Sequence, residues 1–388
     1  MKYSMKNMWL TGIVFLALNA CKQEPAYEIK GYFPGAPDGT MVYLSQDSAP
    51  IVNGKFVFKG RTDLPEFTAL KVRGINKYGM PDDKGTRIWL ENVGMKVECL
   101  WDALPDIYSY SEQMKISGSG LNDLYQKYRR ESQKLGSRDS LWKIYQQVYL
   151  FPSFEWKDVD VEAGMEVMQQ MRLLSENRRK LSERFIAEHP ASPVSLELLT
   201  GLLRGQDYTV AEAEEMMARL DPALKNFPAY TKLRKVFQDF VPTARGEKYM
   251  DVILLNREGK EVKLSDYIVP GKYNMLEFWA SWCGPCRAEI PHLRHVNQVL
   301  GKEFHLINIS IDEKDAAWQK AIKEEQMIWT QLRVPGGSRG EACQKYRITG
   351  VPYSLILDGE GRIVAGELRG AELDIVLNRL LGDKARKL

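Results

Sequence analysis

An apolar stretch from Tyr273 to Phe278 runs almost directly into two cysteines, Cys283 and Cys286, spaced by Gly284-Pro285. The stretch reads as a buried strand, and a helix is expected to start at the cysteines. A strand-to-helix turn that carries two thiols constrains this chain more than any other feature. Around it, Val252 to Leu255 and Glu261 to Leu264 flank the turn Arg257-Glu258-Gly259 as a hairpin. Phe304 to Ser310 reads as a second strand and Lys314 to Glu325 as a helix. Tyr353 to Leu357 and Arg362 to Ala365 form a closing hairpin, and Ala371 to Leu381 a final helix. That order specifies a layered α/β domain.

The chemistry follows from the turn. A thiolate, not a thiol, is the nucleophile in disulfide exchange. At a helix N-terminus the unsatisfied N–H groups and the macrodipole favour negative charge, so Cys283 should ionise easily. Two intervening residues let Cys286 reach back to the same sulfur and resolve a mixed disulfide. Pro285 presets φ in the first turn, where a missing N–H costs little.

The stretch Trp282-Cys283-Gly284-Pro285-Cys286 resembles thioredoxin, and within that superfamily the TlpA/ResA type of membrane-tethered thiol-disulfide oxidoreductase, over roughly the last 140 residues. The resemblance implies a thioredoxin fold, Cys283 as attacking thiol and Cys286 as resolving thiol, the two forming a redox-active disulfide. It places Glu277 as a buried acid that takes the proton of Cys286. It places a cis-proline at Pro352, with the Val351 backbone pairing with an extended substrate. Arg287-Ala288-Glu289-Ile290-Pro291 matches the family's helix and its kinking proline. Trp282, Gly284 and Pro285 would complete the substrate-contacting surface. Many relatives have Thr after the cis-proline, whereas this chain has Tyr353, which changes the groove wall. No cofactor and no metal are implied.

The rest of the 388 residues divides by hydrophobic period. A signal segment covers 1–20, a β-rich domain 21–118, a helical region 119–243 and the thioredoxin-like domain 244–388. In the β-rich part, runs such as Thr40 to Leu44, Lys55 to Lys59 and Lys96 to Leu100 alternate apolar and polar positions, which predicts an antiparallel sandwich or small barrel. Val52-Asn53-Gly54-Lys55 predicts a type I′ hairpin, because Asn-Gly accepts positive φ. This part resembles the β-rich domain of unknown function that precedes thioredoxin modules in Bacteroidetes-type lipoproteins. In the helical part, Met168, Met171, Leu174, Leu181 and Phe185 share one face. Ser192-Pro193 starts another helix, Asp207 to Leu220 reads as one more, and Pro242 to Gly246 as a linker.

Lys2 and Lys6 precede an apolar run from Trp9 to Leu18, too short for a membrane span of about 20 residues. Leu18-Asn19-Ala20-Cys21 resembles the lipobox of bacterial lipoproteins, in which the cysteine becomes the lipid-bearing N-terminus. The expectation is a protein of the cell envelope, lipid-anchored at Cys21 and facing the periplasm. It would reduce or isomerise disulfides of exported proteins and draw electrons from an upstream envelope donor. The 54 Lys and Arg are offset by 51 Asp and Glu and scattered along the chain, which argues against a nucleic-acid partner. Five cysteines are too few for a disulfide scaffold of this size.

Rival readings exist for several residues. Cys283 and Cys286 with His292 and His295 have a zinc-like composition, but a tetrahedral site rarely draws every ligand from one helix. Both histidines are therefore read as surface or packing residues. Cys99 is read as a small buried hydrophobe, and Cys343, nine residues before Pro352, as structural, with a third redox thiol near the active site as the alternative. Glu277 could instead pair with Lys272. A thioredoxin-fold peroxidase is the enzymatic alternative, yet residues 275–283 lack the proline of a peroxidatic Pro-x-x-x-Thr/Ser-x-x-Cys setting, and Ser281 is at the wrong spacing. The other alternative is an envelope-binding lipoprotein with an accessory redox domain.

Overall fold

The computed structural model describes residues 26–74, 82–154, 159–205 and 207–382; Cys21 and the segment before it lie outside the described residues. The first part holds strands β1 (Tyr27–Tyr32), β2 (Met41–Leu44), β3 (Asp47–Pro50), β4 (Lys55–Gly60), β5 (Glu66–Val72), β6 (Lys84–Leu90), β7 (Gly94–Glu98) and β8 (Lys115–Ser117). They form two four-stranded sheets ordered β4-β1-β7-β8 and β3-β2-β5-β6. Alternation supplies the core, with Ile29, Phe56, Phe58, Met95 and Val97 buried against Val42, Leu44, Leu70 and Ile88. The expected two-residue hairpin is present: Asn53 and Gly54 have φ of 51° and 73°, and Val52 and Lys55 exchange backbone hydrogen bonds of 2.9 and 3.0 Å. The sandwich is not wholly antiparallel, since β1 and β7 pair in parallel. The chain leaves the first sheet after β4, builds β5 and β6 in the second, and returns beside β1 in the same direction, the crossover that parallel pairing requires.

Helices α1 (Gly120–Lys134), α2 (Arg138–Tyr145), α3 (Phe151–Ser153), α4 (Val161–Glu188), α5 (Pro193–Leu202), α6 (Val210–Ala218) and α7 (Pro228–Phe240) form the middle part. The apolar stripe of α4 is buried as its spacing predicts. Ser192 caps α5 through its side chain. The helix expected over 207–220 is shorter, because Thr209 and Glu212 form a capping box that sets its start. Between α2 and α3 the backbone widens into a π turn, Gln146–Leu150, a feature that periodicity does not reveal. The segment 242–246 is no slack linker: Thr243 and Ala244 are buried, and the N–H of Gly246 donates to the Ile363 carbonyl at 2.8 Å.

The last part contains β9 (Ile253–Leu255), β10 (Glu261–Lys263), β11 (Tyr273–Trp279), α8 (Gly284–Leu300), β12 (Phe304–Ser310), α9 (Asp315–Glu324), β13 (Thr330–Arg333), α10 (Glu341–Lys345), β14 (Tyr353–Leu357), β15 (Ile363–Gly366) and α11 (Ala371–Leu381). Its sheet runs β10-β9-β13-β12-β11-β14-β15, with β11 central, parallel to β12 and antiparallel to β14. This is the α/β thioredoxin fold, preceded by an all-β domain and a helical region. Strand β13 escapes the sequence pattern because Thr330-Gln331-Leu332-Arg333 is short and half polar.

The helical layer packs on this domain, α4 against α11 and α3 against α8. Within the helical layer itself, close approach falls on a glycine. A Cβ on Gly164 of α4 would stand 2.2 Å from Cδ2 of Tyr149 in the π turn. Gly164→Ala should therefore force the ring aside and cost about 1–3 kcal/mol. Gly201→Ala on α5, where a Cβ meets nothing within 4 Å, should instead stabilise by up to about 1 kcal/mol. Urea unfolding of the two variants checks the opposite signs.

Candidate active site

Strand β11 ends at Trp279, and the following loop is held to the end of β12 by one carboxylate. Asp312 accepts the Ser281 N–H at 2.8 Å, the Ser281 hydroxyl at 2.7 Å and the Ser310 hydroxyl at 2.7 Å. This anchorage sets Cys283 as the N-cap of α8, with its Sγ accepting the Cys286 N–H at 3.2 Å. Cys283 and Cys286 form a disulfide, with their Cα atoms 5.3 Å apart. They are 5% and 3% exposed, whereas the neighbouring Trp282 is 69% exposed. The Val351 carbonyl oxygen lies 3.6 Å from the Cys283 Sγ, on the residue that precedes the cis peptide bond to Pro352. The guanidinium of Arg369 donates to the Pro352 carbonyl and so fixes that loop from behind. Tyr353 turns its ring toward Phe278, at 6.4 Å between centroids.

Glu277 lies mid-strand on β11, in register with Ser354 of β14 and Asn308 of β12, and is 3% exposed. Burial pushes its carboxyl well above the usual range, the nearby Glu289 adds to the rise, and Arg369 opposes it. Pairing with Lys272 does not occur among the described residues: five positions along a strand separate them by roughly 16 Å. Cys99 and Cys343 are buried, and burial pushes the Cys343 thiol up to about 11. Neither thiol is set up to ionise near neutral pH.

Behind the cysteines, on the same helix, the structure corrects the reading of His292 as a surface or packing residue. It is fully buried, with Nδ1 2.7 Å from Oε1 of Glu289 and Nε2 2.8 Å from Oδ1 of Asp374 on α11. Ionised carboxylates only accept, so an imidazolium satisfies both sides. Both ring nitrogens are thereby committed, which removes His292 as a zinc ligand. Burial alone would lower the His292 pKa, but Asp374 and Glu289 together hold it up at about 10. The cluster extends into the helical layer, because the Tyr149 hydroxyl donates to the other Asp374 oxygen at 2.8 Å. Tyr145, stacked on Tyr149 at 5.3 Å, accepts the Ala371 N–H at 3.3 Å. Gly370 donates its N–H to Glu289 at 2.8 Å, with a positive φ of 50° that suits glycine.

Sequence reasoning missed Arg369, Asp374, Asp312, Tyr145 and Tyr149. Only Glu289 and His292, three apart on one helix, left a local signal. The partners Asp374 and Tyr149 are 225 positions apart in sequence.

The clamp has a pH signature. A histidine whose folded pKa is raised contributes stability that is complete below its unfolded value near 6.5 and is lost as pH climbs through about 10. The unfolding free energy should therefore fall across that window. In His292→Gln, which leaves two buried carboxylates without a cation, stability should drop by about 3–5 kcal/mol at neutral pH, and this part of the pH slope should vanish. Denaturant titrations at several pH values check both.

Comparison with known proteins gives two matches to family models. Residues 245–365 match the AhpC/TSA family, and residues 27–125 match a domain of unknown function, DUF4369. The thiol-disulfide oxidoreductase ResA of Bacillus thuringiensis subsp. konkukian is 27% identical over 128 residues, which is 33% of this chain and 70% of that protein. The thiol:disulfide interchange protein HelX of Rhodobacter capsulatus is 35% identical over 133 residues, 33% of this chain and 72% of HelX. Among solved structures, the thioredoxin domain of a Bacteroides vulgatus thiol-disulfide oxidoreductase aligns at 31% identity over 36% of this chain and 99% of that domain, with a TM-score of 0.33. By its C-terminal domain, this chain belongs to the thiol-disulfide oxidoreductases, enzymes of the thioredoxin-like class.

Proposed function

We propose that Cys283 and Cys286 are the exchanging pair, and that the enzyme reduces or isomerises disulfides in exported proteins. One observation carries this reading: a cysteine pair at the N-terminus of α8, a buried acid on the adjoining strand, and a backbone carbonyl within 3.6 Å of the outer sulfur. In the reduced enzyme the Cys283 thiolate attacks a substrate sulfur. The substrate S–S bond breaks, a mixed disulfide forms on Cys283, and the departing sulfur takes up a proton. Cys286 then gives its proton to the Glu277 carboxylate and attacks the Cys283 sulfur. The second substrate thiolate leaves, and the enzyme is left with the Cys283–Cys286 disulfide. Two electrons have passed to the substrate, and an upstream dithiol donor restores the pair. The sulfurs carry the electrons themselves, so no metal or organic cofactor takes part. A raised Glu277 pKa brings its proton exchange toward working pH. Trp282, Gly284, Pro285, Val351 and Pro352 would form the substrate-contacting surface.

For location, the leader through Ala20 and the lipobox-like Cys21 support lipid anchoring in the cell envelope, facing the periplasm. No helix among the described residues is long and apolar enough to cross a membrane. Peroxidase chemistry is disfavoured despite the AhpC/TSA match, because the residues before Cys283 lack the proline and the correctly spaced hydroxyl of a peroxidatic site.

Trapping tests the proposal. Cys286→Ser should accumulate mixed disulfides between Cys283 and exported proteins, visible by diagonal electrophoresis and lost on reduction. If no adduct accumulates, protein disulfides are not the substrates. Glu277→Gln should slow resolution by on the order of 10²-fold at pH 7, with the gap closing as pH rises and Cys286 ionises unaided. Rapid-quench kinetics with thiol alkylation give that ratio.

A further inference from the structure

A cleft of about 620 Å³ opens where the helical layer meets the start of α8. Its floor is Gly284 and Pro285, the residues that immediately follow Cys283, and Ala288 one turn further along α8. Its far wall comes from another part of the chain: Trp142, Tyr145 and Tyr149 on α2 and the π turn, and Phe154 just past α3. Trp142 and Phe154 are 38% and 45% exposed, so both present aromatic surface to the cleft. A Cβ placed on Gly284 would meet nothing within 4 Å, so the space above the floor is open.

We propose that this cleft binds an apolar or aromatic side chain of the substrate polypeptide, a few residues from its reacting cysteine. The inference rests on the exchange reading above and names the substrate class at that same site. Position argues for a polypeptide. Gly284 and Pro285 follow Cys283 directly and line the cleft, so at about 3.4 Å per extended residue a side chain a few residues from a cysteine joined to Cys283 comes within reach of it. Chemistry argues for an apolar group, because the far wall is aromatic and three of the five charged residues that line the cleft are committed elsewhere. Arg369 holds the Pro352 carbonyl, Glu289 holds His292 and Gly370, and Glu372 pairs with Arg172 at 3.3 Å. Arg138 and Glu367 also line the cleft, and beside them stands the part-exposed aromatic surface of Trp142 and Phe154. The wall is also preformed, since Tyr145 and Tyr149 tie it to α11, so little ordering is left to offset binding.

The test uses the full, reduced chain and two synthetic peptides with one intramolecular disulfide each, identical except for Phe or Ser a few residues from the reacting cysteine. The Phe peptide should have a kcat/KM about tenfold above the Ser peptide. Trp142→Ala and Phe154→Ala should each bring that ratio toward one, whereas Ile328→Ala, an exposed apolar residue outside the cleft, should keep it. Equal rates for the two peptides in the wild-type protein would overturn the inference while leaving the exchange reading intact. A wild-type ratio unchanged in both cleft variants would overturn it as well. If the wild-type protein exchanges with neither peptide, the exchange reading itself fails, and this inference with it.

Discussion

Two helices of the C-terminal domain and the helical layer meet at one buried positive charge. The His292 imidazolium sits between Glu289, one helical turn back toward the cysteines on α8, and Asp374 on α11. Asp374 in turn accepts the Tyr149 hydroxyl from the helical layer. Buried ions are tolerated only when their charge and hydrogen-bonding capacity are both met, and removing one partner leaves a desolvated charge. The cluster therefore fixes the roll of α8 relative to α11 and the helical layer. The direction in which the α8 N-terminus presents Cys283, and the distance from that thiol to the aromatic wall, follow from the same constraint.

On that frame two environments of opposite preference for charge lie side by side. At Cys283 the helix terminus offers N–H groups and a dipole that favour the thiolate, and the Cys286 N–H already points at its sulfur. At Glu277, burial and a neighbouring carboxylate favour the neutral acid. Under the proposed exchange, a thiol at a helix terminus beside an acid that ionises reluctantly suits two steps, in which one sulfur attacks and the other gives up its proton. Arg369 links the two, because it moderates Glu277 and also holds the Pro352 carbonyl, next along the chain from the Val351 carbonyl that faces the outer sulfur.

Much of the fold was legible in the sequence wherever a local period or a turn residue decided it. The strands β11, β12 and β14, the helix α11, the Asn53-Gly54 hairpin and the buried stripe of α4 each follow from spacing within a few residues. Elements that rest on distant partners were not legible. The parallel β1–β7 pair needs a crossover through the second sheet, β13 is too short and polar to read, and the π turn leaves no periodic trace. The same division holds for the site. Cys283, Cys286 and Glu277 share one strand-turn-helix and are visible together, whereas Asp374, Tyr149 and Arg369 arrive only when the chain closes on itself. His292 was misread because an imidazole on a helix looks bland until the carboxylate from α11 is in place.

The central claim is a reversible two-electron couple confined to Cys283 and Cys286. Equilibrating the full chain in glutathione buffers, then counting free thiols by alkylation and mass spectrometry, tests it most directly. The account predicts one reversible transition at these two cysteines, with a reducing midpoint near the thioredoxin value of about −270 mV and Cys99 and Cys343 unchanged. A midpoint above about −180 mV, or no reversible transition at this pair, would contradict it.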